Sequence, residues 1–470
     1  MNTTAWTPPA EGKAWTPPLK TKAWTPPTKS VTKEDYDIKR KKISRVIGMQ
    51  ILPEFHFDVN VTSKCNLACT YCMEGESCGL SSSFQEPTKL LPQELCEKVL
   101  ELDTTKYKAV NVYFWGGEAF TNWPFCKKVM KELVDYKHIN FMFYTNGVYL
   151  KKYKNQLMEI DEQLGLRPQL YNKGGREQRG LHIQVSFDGE PINTLERHTK
   201  QGPDEKMSEY VYDSYLDLKE AGFSIALKQT ISARNFKYLF EVWKWHYDRG
   251  EMYGPTPDSH GADPNRPDGG AWEVAAFEEN LKQLRLNMIK ISKYCIDRNI
   301  DPDKTFRWYG KSRADCGSGM NYLSVDLDGK LYPCHGCMYR QRDDHLVGTT
   351  KENLQDIAST TTEKYMDYLY EFKTDQTLDC NNCTVDFCMK CPAGSFDQSM
   401  ATKEDNDYGK TWQDHPSNYQ MCKVWKTISP IVKATRESIK ERFPKRAERK
   451  LPNMNMPLCK PELASVYDAA

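Results

Sequence analysis

The 470-residue chain has no hydrophobic run that approaches the roughly 18 apolar residues a membrane-spanning helix needs. It also lacks a charge excess. Lys plus Arg number 65 against 64 Asp plus Glu, a formal net charge of +1, so no global basic field steers it toward nucleic acid. The opening "MNTTAWTPPAEGK" has no basic stretch followed by an apolar core of the kind that directs secretion. These absences together point to a soluble, cytoplasmic protein with neither a nucleic-acid nor a membrane partner. With 39% hydrophobic and 27% charged residues the composition is that of an ordinary globular chain. The length exceeds what one core usually serves, so a main domain with appended units is expected.

Cysteine, by contrast, is plentiful. In a large cytosolic chain, sixteen cysteines in clusters suggest metal ligands more than disulfides. Eleven of them fall in two groups. The first is Cys65, Cys69 and Cys72; the second is Cys316, Cys334, Cys337, Cys380, Cys383, Cys388, Cys391 and Cys422. Cys96, Cys126 and Cys295 lie in helix-like surroundings and read as small buried hydrophobes.

The order of segments suggests the architecture. Residues 1–32 hold "AWTPP" three times, beginning at Ala5, Ala14 and Ala23, and are expected to form an extended tail. From 55 to about 245, strand-like runs such as "FHFDVNVT", "AVNVYFWG", "INFMFYTNG", "LHIQVSFDG" and "FSIALKQTI" alternate with helix-like stretches. That alternation predicts an α/β domain over 33–305, with a parallel sheet closed or partly closed into a barrel and chemistry at the C-terminal ends of its strands. Residues 251–271 are rich in Gly, Pro and Asp and read as a loop, followed by a long helix. Beyond Arg313 cysteines take over, which suggests a small metal-stapled domain at 306–430, with a helix and tail at 431–470.

Thiolates spaced Cys-x3-Cys-x2-Cys after a strand can bind three irons of a four-iron cluster and leave the fourth iron open. Such clusters normally take four cysteines. A structural zinc with a fourth ligand from elsewhere is the alternative that spacing alone leaves standing.

With its neighbours, this loop resembles the signature of radical S-adenosylmethionine enzymes. The resemblance implies a partial (β/α)6 TIM-like barrel, in which the amino and carboxylate groups of S-adenosylmethionine chelate the open iron. It further implies reductive cleavage to a 5'-deoxyadenosyl radical that removes a hydrogen atom from substrate. "WGGEAF" resembles the family's GGE element, with Gly116 and Gly117 allowing close backbone approach and Glu118 accepting from the cofactor ammonium. By the same resemblance Asn146 of "YTNG", then Ser186 and Asp188 of "VSFDGE", contact the cofactor, Arg197 meets its carboxylate and Gln229 its ribose.

The second cysteine field resembles the SPASM extension of this superfamily, which implies two auxiliary clusters and three [4Fe-4S] clusters in all. Cys316, Cys334 and Cys391 would hold the nearer cluster, with Cys337 as fourth ligand or an open iron. Cys380, Cys383, Cys388 and Cys422 would hold the outer one. "LSVDLDGKLYPC" reads as a hairpin turning at Asp328-Gly329 that delivers Cys334. A pair of structural zinc sites is the alternative for this region.

Relatives with two auxiliary clusters mostly modify peptides and proteins, which implies oxidative modification or crosslinking of a peptide side chain. The resemblance also implies an electron donor such as flavodoxin or ferredoxin. Sulfatase-maturing relatives carry an Asp after the hairpin cysteine; here His335 stands there and is a candidate base. Formylglycine formation, and oxidation of a small molecule, are therefore the alternatives. Only 64 residues precede Cys65, so no leader-binding domain is expected and a separate recognition protein could serve instead.

Overall fold

The computed structural model describes residues 54–72, 87–102, 109–168, 177–257, 274–309, 318, 321–339, 345–353, 385 and 420–440. The AWTPP repeats and the extreme C-terminus lie outside them. So do Cys316, Cys380, Cys383, Cys388 and Cys391.

Five strands stand where the apolar runs predicted them: β1 (Glu54–Thr62), β2 (Ala109–Gly116), β3 (Ile139–Thr145), β4 (Leu181–Ser186) and β5 (Ser224–Lys228). Between them run α1 (Pro92–Leu100), α2 (Trp123–Glu132), α3 (Leu150–Leu164) and α4 (Glu205–Glu220), followed by α5 (Leu239–Asp248) and α6 (Val274–Asp297). Local chemistry sets the helix starts. Asp204 accepts from the Met207 N–H at the head of α4, and Glu94 caps the Leu91 N–H at the head of α1, where Pro92 needs no donor.

Each of β1 to β5 pairs in parallel with the next. A sixth parallel strand, β6 (Tyr322–Val325), pairs with β1 on its other side. The expected hairpin is present: β6 turns through Asp328 and Gly329 into antiparallel β7 (Lys330–Tyr332), and Gly329 takes a φ of +80°. Next come α7 (His335–Tyr339) and β8 (Gly348–Thr349). The sheet order is thus β8-β7-β6-β1-β2-β3-β4-β5. The sheet therefore runs on across residue 305, and the hairpin assigned by sequence to a second unit forms its flank.

One face of this sheet is apolar and packs under the helices. Phe55, Phe57, Val59 and Val61 of β1 join Val110, Val112, Phe114, Phe141, Phe143, Ile183 and Val185 in one core. The alternating residues supply a polar face instead: Asp58 and Asn60, Tyr113 and Trp115, Tyr144, Gln184 and Ser186, Lys228, Tyr322 and Ser324. A parallel sheet is normally apolar on both faces. Here the polar side lines the lumen of a partly closed barrel. A second apolar cluster joins α5 and α6 to α8 (Gln420–Lys440), with Trp308 and Trp425 in edge contact at 5.6 Å. Cys96, Cys126 and Cys295 are buried in these cores, as their surroundings predicted.

Candidate active site

The three-cysteine loop leaves the C-terminal end of β1 and is held on both sides by backbone hydrogen bonds. The Gly117 and Glu118 N–H groups donate to the carbonyls of Thr62 and Lys64, each at 2.8 Å. The Ala68 and Thr70 N–H groups donate to the carbonyls of His198 and Glu196, each at 2.9 Å. The Gly-Gly pair serves this junction. A Cβ on Gly117 would sit 2.5 Å from the Lys64 carbonyl oxygen, and Gly116 adopts a φ of +130° against Thr62. The close approach that these glycines permit in this structure is therefore between β2 and the stem of the cysteine loop.

Cys65, Cys69 and Cys72 are half-buried and reduced. Burial pushes the Cys69 thiol up to about 12 and the Cys65 thiol higher still; Cys72 adds to both as a neighbouring negative charge, while Arg197 opposes the rise at Cys69. A bound metal charge is what would draw these protons off. Among the described residues, no three His, Cys, Asp or Glu side chains gather as ligands of a single ion. Tetrahedral zinc would need sulfurs about 3.8 Å apart, given Zn–S bonds of about 2.3 Å.

Glu118 is buried and fully engaged by protein. Its carboxylate accepts from the Phe120 and Asn146 N–H groups and from the Thr145 hydroxyl, at 3.1, 2.7 and 2.8 Å. Burial lifts it to about 7 against those three bonds. The side chain ties the end of β2 to the end of β3. Asn146 in turn donates to Asn66 at 2.8 Å and lies 3.7 Å from the Cys65 sulfur, so this tie reaches the cysteine loop.

Asp188, fully buried after β4, forms the other anchor. Arg197 donates to both its oxygens, at 2.7 and 3.3 Å; the Thr230 N–H donates at 2.7 Å and the Tyr71 hydroxyl also donates. Arg197 lies 5.1 Å from the centre of the Tyr71 ring. The guanidinium assigned by sequence to the cofactor carboxylate is thus bound to Asp188. Tyr71 was missed; the aromatic residue directly before Cys72 was the available signal. Gln229 holds the Met252 carbonyl and the Gly254 N–H, at 3.4 and 3.3 Å, and so braces the chain after α5. Ser186 closes β4 on the lumen face, opposite Lys228 of β5.

Across the lumen, Cys334 and Cys337 are buried with sulfurs 3.6 Å apart at the start of α7. His335 between them donates from Nδ1 to Asp58 of β1 at 3.1 Å, and the Tyr322 hydroxyl donates to the same carboxylate oxygen. Burial lowers the His335 pKa, but the Asp58 bond and charge outweigh it and hold the imidazole above its usual value. The other Asp58 oxygen is buried and accepts no hydrogen bond from the described residues. Cys422 is half-buried against the second apolar cluster, and its expected partner cysteines lie outside the described residues.

The site is thus a parallel sheet with three cysteines at the mouth of its first strand. Residues 59–169 match the Radical SAM superfamily, and the chain accordingly carries a radical SAM domain. In Methanocaldococcus jannaschii, the uncharacterized protein MJ0907 is 23% identical over 194 residues, 40% of this chain and 57% of that protein. The chain therefore spans little more than half the length of that curated relative. Among solved structures, native anSMEcpe with bound AdoMet shares the fold at a TM-score of 0.57 and 15% identity, over 84% of this chain and all of that one. Native anSMEcpe with bound AdoMet and the Cp18Cys peptide aligns at 0.55 and 15%, over 83% and 99%. No helix among the described residues is long and apolar enough to cross a membrane.

Proposed function

We propose that the chain is a radical S-adenosylmethionine enzyme that removes a hydrogen atom from a peptide or protein side chain and carries the product to an oxidised or crosslinked state. The observation that carries this reading is the cysteine loop, fastened by backbone bonds to the end of β2 and to Glu196 and His198, at the mouth of a polar lumen. Cys65, Cys69 and Cys72 would hold one [4Fe-4S] cluster. Held there, it would supply the single electron for reductive cleavage of bound S-adenosylmethionine, and the nucleoside radical so released would take the hydrogen atom.

The chain's own groups prepare the site. Glu118 and the Asp188–Arg197 pair fix the two walls against which the loop rests, and Asn146 places a donor beside the Cys65 sulfur. Ser186 stands on the lumen side for a cofactor hydroxyl, and Gln229 braces the segment after α5 beside it. Asp58 holds Nδ1 of His335, which leaves Nε2 to accept a proton from substrate. The likeness in fold to anSMEcpe, whose complex contains a peptide, supports a peptide as substrate. Cys334 and Cys337, side by side, favour Cys337 as the fourth ligand of a nearer auxiliary cluster with Cys316 and Cys391; Cys380, Cys383, Cys388 and Cys422 would hold an outer one. These clusters would accept the second electron of a net oxidation and pass it to a flavodoxin- or ferredoxin-like carrier. The tail of repeats or a separate recognition protein would present a leader peptide.

Iron and sulfide analysis of anaerobically purified protein tests the reading, together with a Cys65→Ala/Cys69→Ala/Cys72→Ala variant. With four irons per cluster, about twelve irons per chain should fall to about eight in the variant, with 5'-deoxyadenosine formation under dithionite lost. Zinc in place of iron, and no nucleoside from either protein, would overturn it.

A further inference from the structure

Of the charged groups that face or flank the lumen, two carboxylates already have partners within the protein. Asp188 is paired with Arg197 and Asp58 with His335. Lys228 is a further charged group there. It closes β5 on the lumen side, in register with Ser186, while its neighbours Ile225 and Leu227 turn to the apolar core. Its ammonium donates to the Thr256 hydroxyl, and no carboxylate among the described residues forms an ion pair with it. Its surroundings add to the cost of its charge. Burial pulls the amine down to about 8, the Arg307 charge pulls the same way, and only Asp188, already committed, opposes them. The Lys228 charge is also felt at His335, the candidate base. A desolvated ammonium with one neutral partner is costly unless an anion joins it.

We propose that Lys228 is a carboxylate-binding residue of the lumen, and that its ligand is an acidic group of the peptide substrate. The inference rests on the radical-enzyme reading for the substrate's class, though the site itself is defined by the lumen's charges. The same chemistry could be met by the cofactor's own carboxylate, so the test must separate the two. A charge-assisted hydrogen bond of this kind is worth about 1.5–3 kcal/mol, or roughly tenfold or more in affinity.

Equilibrium dialysis on the anaerobically reconstituted full chain decides it, with wild type, Lys228→Met and Lys228→Arg compared. One probe pair is a blocked glycine-rich pentapeptide with a central aspartate and its asparagine counterpart; the other is S-adenosylmethionine and its decarboxylated analogue. Wild type should bind the aspartate peptide at least about tenfold more tightly than the asparagine peptide. Lys228→Met should erase that preference and Lys228→Arg retain it, with the cofactor ratio unchanged. Replacing a buried cation by an apolar chain should leave the melting temperature equal or higher, which shows that the variant is folded. If Lys228→Met instead erases the preference for S-adenosylmethionine over its analogue, the carboxylate is the cofactor's and the peptide assignment falls. Equal ratios in wild type and Lys228→Met for both pairs would overturn the site altogether. If iron-loaded wild type binds neither form of the cofactor, the radical-enzyme reading fails while the peptide pair still decides Lys228.

Discussion

Asp188 carries more of the site than any other single residue. Its carboxylate receives Arg197, Tyr71 and the Thr230 N–H, and so joins the cysteine loop, the end of β4 and the segment after β5. Removing one member of a buried ion pair strands the other, at a typical cost of about 3–5 kcal/mol, whereas replacing both with apolar chains is often near neutral. Asp188→Leu alone should therefore lower the urea midpoint strongly, and Asp188→Leu with Arg197→Met should recover much of the loss. Equal midpoints for the single and double variants would show that the pair is not coupled. Asp188 and Arg197 were both named from the sequence as candidate cofactor contacts, but their mutual bond was not legible there. Side chains nine residues apart meet only because the Gly189–Glu196 turn brings them back together.

At the level of elements, the β6–β7 hairpin and α8 decide how the C-terminal region joins the barrel. The hairpin lies against β1, and through it Cys334 and His335 come to face Asp58, 277 positions earlier in the chain. The helix α8 lays Val424, Trp425, Ile428 and Val432 on α6 and the Trp308 region. Trp425 is almost fully buried, so Trp425→Ala should cost about 3–5 kcal/mol by loss of burial and a residual cavity. The thermal midpoint measures this, and a near-unchanged value would mean that α8 contributes little to the fold. The hairpin was readable from Asp328-Gly329 between two apolar runs; its place in the barrel sheet was not, because register across hundreds of residues leaves no local trace.

For the molecule as a whole, stability should depend on pH through His246. This histidine is completely buried and its Nε2–H donates to the Asp188 carbonyl at 3.1 Å. Burial lowers its pKa from 6.5 to about 4. Between those values the unfolded chain carries the proton and the folded chain does not. Stability is thus full above pH 6.5 and falls as pH drops toward 4, by about 3 kcal/mol for this one group. Urea midpoints at pH 7 and pH 4.5 check it. His246→Gln should lose less stability over that interval than wild type, and an identical loss would remove His246 as the cause.

The sequence by itself determined the alternation of strands and helices, the three-cysteine loop with its Gly-Gly-Glu partner, and the turn that delivers Cys334. Each motif taken singly rests on spacing within about ten residues, where backbone geometry and side-chain period act directly. Only the tertiary structure decided which polar groups neutralise one another. It committed Glu118 to three protein donors and Arg197 to Asp188, set His335 on Asp58, and left Lys228 in the lumen with one hydroxyl partner among the described residues. Those outcomes depend on which strands become neighbours and how far the sheet curls. Charge compensation is a property of distances in space, which residue spacing along the chain does not contain.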